Sequence, residues 1–372
     1  MNTAQTLLIP FDEKFTIVEN NGFKEPGIPF YMFNVAQSYD NFNCFINKRN
    51  YGAPMKSNVK TYKSPLNYTG NKYRILPQIL PHVPKNIDTM VDLFCGGATV
   101  GINIPCKNVK FVDSNPRVIE LLQYLASCDF NNLLHVLETF IEHYQLSYSA
   151  QNSYAYYKAN ITDENYNNGL KEYNKEGFYQ LRNDYNSLID KDSEVANQML
   201  YLLMVYAFNN DIRFSKCGHF NLPVGKTDLN KQNLIKLKEY IDRVQQIKSE
   251  FICCDFRSER VNKLIDIADF VYMDPPYLIT DAVYNESGNW GVQQENQLLE
   301  KLTQMLHSNK KFILSNVLCK VNYVNEPLMH WIQEHFKDIK VIDIDYHYKG
   351  ASYNKKNRNA NEREIIIIPK RK

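Results

Sequence analysis

The feature that most constrains this chain is a pair of prolines, Pro275 and Pro276, placed directly after an apolar run. That run, residues 268–273, contains β-branched and aromatic residues and is typical of a buried strand. The prolines fix φ and remove two backbone donors, so the turn is rigid and the carbonyls of Asp274 and Pro275 face outward as acceptors. Because ligands of open α/β sheets bind at the carboxyl ends of strands, residues Asp274 to Tyr277 form a candidate site.

This turn has the chemistry to hold a flat ring that carries an exocyclic amino group. The Asp274 carboxylate and the Pro275 carbonyl can accept the two N–H bonds of such a group, and Tyr277 can stack on the ring face. An ordinary strand-end turn is the alternative that these residues alone leave open.

A glycine turn and an acid predict a second ligand. The apolar strand at residues 87–94 runs into Gly96 and Gly97, where a ligand can approach the backbone closely. The next strand, residues 109–112, ends at Asp113, whose carboxylate can accept hydrogen bonds from both hydroxyls of a ribose. Together they indicate a cofactor that carries a nucleoside. The incomplete GxGxxG pattern argues against a dinucleotide.

Length and composition argue against a membrane protein, a secreted protein and a cysteine-ligated metal protein. A chain of 372 residues predicts two domains. The eight cysteines show no metal-ligand spacing, so we expect reduced thiols in a cytoplasmic protein without a metal site. No apolar run approaches the roughly 18 residues of a membrane span, and we expect neither a membrane segment nor a signal peptide.

The net charge of +2 means that any contact with nucleic acid must come from local basic patches. Residues 48–72 carry six basic side chains and no acid, residues 210–249 carry eight against four, and residues 347–372 carry eight against two. Each stretch is a candidate contact with phosphates. A solvated linker at 48–72 and an exposed helical subdomain at 210–249 are the alternatives.

The α/β rhythm is interrupted in the middle of the chain. Residues 147–186 are dominated by Tyr and Asn and predict loop and short helix. Helical spacing returns at 194–208. The block at 209–225 is dense in turn formers and in side chains suited to phosphate and base contacts. We therefore expect an inserted segment that contacts a nucleic acid.

The order of the motifs resembles the Dam-like (alpha-type) adenine-specific DNA methyltransferase family. The motifs are YTGNK, DLFCGGATVG, FVDSNP, FNNDIRFSKCGHFNLPVG, CCDF, DPPY and LSN, and they extend over about residues 60–370. The resemblance implies an α/β fold: a Rossmann-like, S-adenosylmethionine-dependent methyltransferase sheet with an inserted, mostly helical DNA-recognition domain. It implies an extension of unknown role at 1–57, a methyltransferase domain at 58–146 and 250–372, and the target-recognition insert at 147–249.

The resemblance also implies roles for single residues. The catalytic residues are Asp274, Pro275, Pro276 and Tyr277. Those implied for S-adenosylmethionine are Tyr68, Lys72, Phe94, Gly96, Gly97, Asp113, Asp255, Phe256 and Asp274. Those implied for DNA are Arg213, Lys216, Asn221, Lys226, Lys355 and Arg358. The chain departs from the family pattern where Tyr68 replaces the usual Trp, Asn71 a Gly, and Ala98 a frequent Gly.

The implied reaction moves a methyl group from S-adenosylmethionine to the 6-amino group of an adenine flipped out of double-stranded DNA. Positioning and electrostatics would carry the rate, with no covalent intermediate and no metal. A cognate restriction endonuclease is a candidate partner. The alternatives are a methyltransferase acting on RNA or on a protein glutamine, and an inactive DNA-binding regulator. For Arg213, a base contact, a phosphate contact and a brace of its loop all stay open.

Overall fold

The computed structural model describes residues 60–68, 70–161, 168–279, 290–320, 323–344 and 363–370, and two short strands before them. The chain divides into two compact units. The first unit comprises Met1–Gly52, Pro276–Asn296 and Asn316–Ile366. The second unit comprises Ala53–Pro275, Gln297–Ser315 and Ile367–Lys372. The four segments predicted from the sequence stay a prediction.

The described strands and helices are as follows. The strands are β1 (Thr6–Leu8), β2 (Lys14–Thr16), β3 (Ile87–Leu93), β4 (Cys106–Asp113), β5 (Lys248–Cys253), β6 (Phe270–Met273), β7 (Lys311–Lys320), β8 (Tyr323–Val324), β9 (Ile339–Asp343) and β10 (Arg363–Pro369). The α-helices are α1 (Leu76–Ile79), α2 (Pro116–Ser127), α3 (Phe130–His143), α4 (Ser149–Asn152), α5 (Tyr154–Ala159), α6 (Lys171–Ser187), α7 (Glu194–Tyr206), α8 (Lys231–Gln245), α9 (Glu259–Ile267), α10 (Val292–His307) and α11 (Glu326–Glu334). None of the helices described is long and apolar enough to span a bilayer.

The sheet of the second unit is parallel, with the strand order β5-β4-β3-β6-β7. Its central strands are buried because helices cover both faces of such a sheet, which explains their nearly continuous apolar sequences. The chain runs outward from β3 through β4 to β5 and then returns to β6 on the other side of β3. This reversal creates a topological switch point between β3 and β6, where open α/β sheets bind ligands. The predicted α/β, Rossmann-like class is confirmed.

Helix α2 follows β4 and shows why the sequence forms these elements. The Asn115 side chain caps the helix by accepting from the backbone N–H groups of Arg117 and Val118, and Pro116 stands at the first helical position. On the facing helix α8, the Tyr240 hydroxyl donates to the Leu122 carbonyl at 3.1 Å. Helix α2 is therefore capped at its first turn and bonded to α8.

Helix α6 corrects the prediction of loop and short helix over residues 171–186, whereas the short helices α4 and α5 agree with it. Helix α6 runs for 17 residues through sequence rich in Tyr and Asn. Its side chains Phe178, Leu181 and Tyr185 are buried and recur at helical spacing. The helix packs against α7. Burial of this one face outweighs a composition that is poor in strong helix formers.

The first unit contains the end of β7, paired antiparallel with β8, and the strands β10 and β9 in the order β7-β10-β9. Strand β7 continues past its apolar start at residues 312–314, through Ser315 and Asn316, to Lys320. The reason is burial, since residues 312–319 are all buried. Within this unit Arg363 and Asp343 form a buried ion pair.

Candidate active site

Asp274 follows β6 directly and lies at the switch point of the parallel sheet. Its backbone N–H donates to the Leu93 carbonyl of β3 at 3.4 Å. The Lys72 Nζ lies 2.7 Å from the Asp274 Oδ2, and the lysine side chain is only 2% exposed. Lys72 also donates to the Gly70 carbonyl at 2.8 Å. The residue that the sequence predicted for the cofactor therefore contacts the predicted catalytic carboxylate.

Local structure explains how Lys72 reaches this position. The Asn71 side chain accepts from the Tyr73 N–H and caps the 3-10 turn Lys72–Ile75. Gly70 immediately before it has a φ of +83°, which favours glycine. The turn fixes the lysine, and the lysine and Asp274 bear opposite charges and are both largely buried. The arrangement holds the carboxylate in one orientation.

Asp113 ends β4 and joins the glycine turn after β3. Its carboxylate accepts from the Gly96 N–H and from the Asn115 N–H, both at 2.9 Å. Burial raises the pKa of Asp113 above its ordinary value. Each carboxylate oxygen accepts more than one hydrogen bond, so capacity remains for ribose hydroxyls. This acceptor fits the hydroxyl groups of a nucleoside.

The glycine turn packs against the ring of Tyr68. A Cβ added at Gly96, whose φ is +47°, would lie 2.7 Å from the Tyr68 ring. One added at Gly97 would lie 2.8 Å from the Ser64 hydroxyl. Both positions therefore require glycine. Ala98 stands where the family often has Gly, and its φ of +62° lies in the left-handed region. The backbone there is strained, because the side chain of alanine disfavours this conformation.

Phe94 and Phe256 form an aromatic pair beside the turn. Their ring centroids lie 5.3 Å apart, and Phe94 adopts a φ of +66°. Strained backbone of this kind clusters at functional sites. Asp255, next to Phe256, is exposed and pairs with Arg257 at 2.7 Å. The hydrogen bond from Arg257 holds the pKa of Asp255 below its usual range.

Asp92 is a further acid near the site, and the sequence motifs implied no role for it. It lies inside β3, is 1% exposed, and accepts from the Gly101 N–H at 2.8 Å. Burial raises its pKa to about 7, and the charges of Asp274 and Asp113 add to the effect. An acidic residue within the apolar strand 87–93 was the signal that could have identified it.

In the first unit, Tyr277 has an acidic partner that the sequence did not reveal. Its hydroxyl donates to the Glu364 Oε1 at 3.4 Å. Glu364 lies on β10 and is 5% exposed. A buried carboxylate needs hydrogen-bond donors, and the tyrosine hydroxyl is one of them. Tyr277 and Glu364 lie 87 positions apart in the chain, which explains why no local pattern indicated the contact.

The structure brings three of the residues predicted for DNA together. Arg213, Lys216 and Asn221 lie on an exposed hairpin closed by a bridge between Phe214 and Phe220. The Arg213 Nε donates to the Asn221 Oδ1 at 2.8 Å. The hairpin presents a braced arginine together with an exposed amide and lysine.

The other residues predicted to contact DNA are Lys226, Lys355 and Arg358. Lys226 is exposed, and its carbonyl accepts from the Leu170 N–H at 3.0 Å. Lys355 and Arg358 lie outside the described residues. Within the described parts of the chain, no group of three or more His, Cys, Asp or Glu side chains is placed to hold a metal.

The parallel sheet has the strand order of a Rossmann-like α/β fold, and Asp113, the glycine turn and Asp274 lie at the carboxyl ends of its strands. Residues 68–349 match the D12 class N6 adenine-specific DNA methyltransferase family. The match covers most of the chain, and the protein belongs to this family. The resemblance drawn from the sequence motifs is confirmed.

Several curated relatives support the same assignment. The chain is 34% identical over 312 residues to the Type II methyltransferase M.FokI of Planomicrobium okeanokoites, which covers 82% of this chain and 42% of that protein. It is 29% identical over 338 residues to the modification methylase StsI of Streptococcus sanguinis, with coverages of 89% and 47%. It is 31% identical over 292 residues to the modification methylase LlaI of Lactococcus lactis subsp. lactis, with coverages of 77% and 42%. The chain spans less than half the length of these relatives.

Proposed function

We propose that this chain transfers the methyl group of S-adenosylmethionine to the 6-amino group of an adenine flipped out of double-stranded DNA. One observation carries the proposal: the Asp274 carboxylate lies at the switch point of the sheet and is held there by Lys72 at 2.7 Å. Membership of a family described as adenine-specific supports this reading.

The second unit contains the residues that would hold the cofactor. Asp113 has acceptor capacity for ribose hydroxyls, and its bond from the Gly96 N–H at 2.9 Å places it beside the glycine turn. Tyr68 and Phe256 supply rings for apolar contact. When bound, S-adenosylmethionine supplies a methyl group on a sulfonium, which is a good leaving group.

The chain's own residues position the adenine amine. The nitrogen lone pair of adenine is conjugated with the ring, so the amine is a weak nucleophile. By accepting its two N–H bonds, the Asp274 carboxylate and the Pro275 carbonyl favour a pyramidal nitrogen with an available lone pair. Lys72 keeps the carboxylate aligned. The family resemblance implies that the Tyr277 ring stacks on the base, and within the first unit Glu364 accepts from the Tyr277 hydroxyl.

Sequence recognition falls to the insert at residues 147–249. Its exposed hairpin presents Arg213, Lys216 and Asn221, whose side chains suit phosphates and base edges. The contact between Arg213 and Asn221 supports a braced arginine that touches DNA. Modification methylases among the relatives support a cognate restriction endonuclease as partner. A DNA substrate implies a cytoplasmic location.

Transfer of label tests this function against its rivals. The protein is incubated with S-adenosylmethionine carrying a tritiated methyl group and with double-stranded DNA, RNA or a mixture of proteins. We expect tritium in the DNA alone, recovered as N6-methyladenine after digestion. Label in RNA or in a protein glutamine, or no transfer to any acceptor, would contradict the proposal.

A further inference from the structure

The hairpin at residues 213–221 has few hydrogen bonds of its own. The Ser215 N–H donates to the His219 carbonyl at 2.8 Å, and the Asn221 N–H donates to the Arg213 carbonyl at 3.1 Å. Gly218, with a φ of +76°, forms the tip. An isolated two-stranded hairpin is at best marginally stable in water. Its orientation therefore depends on what holds it from outside.

Helix α6 supplies that support through Asn186. The Asn186 Oδ1 accepts from the Phe220 N–H at 2.8 Å. The Asn186 Nδ2 donates to the Phe220 carbonyl at 3.1 Å. One amide side chain thus satisfies both backbone groups of a single hairpin residue, as a neighbouring strand would. Two bonds to one residue fix rotation as well as distance.

Two more residues on the same face of α6 contact the hairpin or the chain that leaves it. The Arg182 Nη1 donates to the Leu222 carbonyl at 3.2 Å. The ring of Tyr185 lies 6.5 Å, centroid to centroid, from both Phe214 and Phe220. Positions 185 and 186 lie three and four residues after position 182, so both are neighbours of Arg182 on the helix surface. The Tyr- and Asn-rich stretch therefore forms a platform beneath the hairpin.

We propose that Asn186 is a positioning residue for DNA sequence discrimination. It fixes Phe220, which precedes Asn221, and through the contact between Asn221 and Arg213 it aims both side chains. Reading of a base edge depends on hydrogen-bond geometry, whereas attraction to phosphates tolerates movement. Loss of the amide should therefore reduce discrimination more than binding. This inference rests on the proposed DNA methylation.

The test compares Asn186→Ala and Asn186→Asp with Asn183→Ala, a matched control at an exposed position of the same helix. Wild-type protein first methylates an unmethylated plasmid, and the modified adenines are mapped by sequencing. Duplexes with the mapped site and with single-base variants then give kcat/KM values. For Asn186→Ala we expect the ratio of kcat/KM on the mapped site to kcat/KM on the variant sites to fall about tenfold.

The variants Asn186→Asp and Asn183→Ala have different expected ratios. Asn186→Asp keeps an acceptor for the Phe220 N–H but loses the donor, so its ratio should lie between those of the wild type and Asn186→Ala. Asn183→Ala should keep the wild-type ratio. The cofactor dissociation constant should be the same in all four proteins, because the glycine turn and Asp113 are untouched.

Amide hydrogen exchange provides a second readout that does not need the DNA substrate. The Phe220 amide should be protected in the wild type and in Asn183→Ala, and should exchange faster in Asn186→Ala. A ratio that stays unchanged in Asn186→Ala, or rates that fall equally on all duplexes, would overturn the inference. If the wild type methylates no DNA, the proposed function fails as well, while exchange at Phe220 still reports whether the amide holds the hairpin.

Discussion

At the residue scale, the central feature is the ion pair between Lys72 and Asp274. The lysine side chain is 2% exposed and the carboxylate 18% exposed. Removing charges from water is costly, and pairing offsets that cost only when the geometry is good. A pair of this kind is better suited to fixing an orientation than to stabilising the fold. Lys72 therefore orients the Asp274 carboxylate, in addition to the role in cofactor binding that the family resemblance implies.

Substitution of Lys72 by methionine separates these two roles. Lys72→Met keeps an unbranched apolar stem but removes the charge that aligns Asp274. We expect kcat to fall about tenfold or more, with the cofactor dissociation constant changed by less than about threefold. Steady-state kinetics and calorimetry on the same sample measure both. The opposite pattern, weaker cofactor binding with an unchanged kcat, would show that Lys72 contributes to cofactor binding and does not orient Asp274.

Asp92 makes stability depend on pH in a defined direction. Its pKa of about 7 lies above the ordinary value of 3.8, so the folded state binds the proton more tightly than the unfolded state. The resulting stabilisation is complete below about pH 4 and is lost as the pH rises through about 7. Between pH 5 and 8 we expect it to decrease by on the order of a few kcal/mol.

The control is Asp92→Asn, which keeps an acceptor for the Gly101 N–H and has no titrating group. Urea unfolding at pH 5, 6, 7 and 8 should show a smaller decrease in the free energy of unfolding for this variant. Parallel pH profiles for the two proteins would show that Asp92 does not titrate in this range.

At the element scale, helix α6 shows how packing outweighs composition. Gly177 lies within the helix, where α6 comes close to the backbone of Tyr144. A Cβ added at Gly177 would lie 1.9 Å from the Tyr144 carbonyl oxygen. Glycine in a helix normally costs about 1 kcal/mol relative to alanine. Here the close approach of two backbones requires it. The same helix carries Asn186, so its placement determines the placement of the hairpin.

Two alanine substitutions on α6 should have opposite effects on stability. Gly177→Ala improves helix propensity but forces the backbones apart, so we expect a net destabilisation of about 1 to 3 kcal/mol. Asn183→Ala, at an exposed position, should stabilise by a few tenths of a kcal/mol. Thermal unfolding of both variants measures the difference. A more stable Gly177→Ala protein would mean that α6 does not depend on this contact.

At the scale of the whole molecule, the sequence predicted the sheet and the residues at its strand ends. The apolar runs before Phe94, Asp113 and Asp274 have the lengths of strands, and their order fits a doubly wound sheet. These residues could be found because a strand end and its side chain are neighbours in the chain. The match to the methyltransferase family confirms the fold and the class that this order indicates.

The contacts that support the site could not be predicted in this way. Asn186 and Phe220 lie 34 positions apart, and Tyr277 and Glu364 lie 87 positions apart. Such partners meet only through the tertiary fold. The long helix α6 was missed for a related reason, since its stability comes from buried side chains at spaced positions rather than from its composition.

The most direct test of the account is methyl transfer by Asp274→Ala. The variant removes the carboxylate proposed to accept from the adenine amine, and it also removes the partner of Lys72. Thermal unfolding and binding of S-adenosylmethionine are therefore measured on the same sample to verify that the fold persists. We predict a folded protein that binds the cofactor and DNA but transfers no detectable tritium to DNA. Transfer at a rate close to that of the wild type would contradict the assignment of Asp274 and the mechanism built on it.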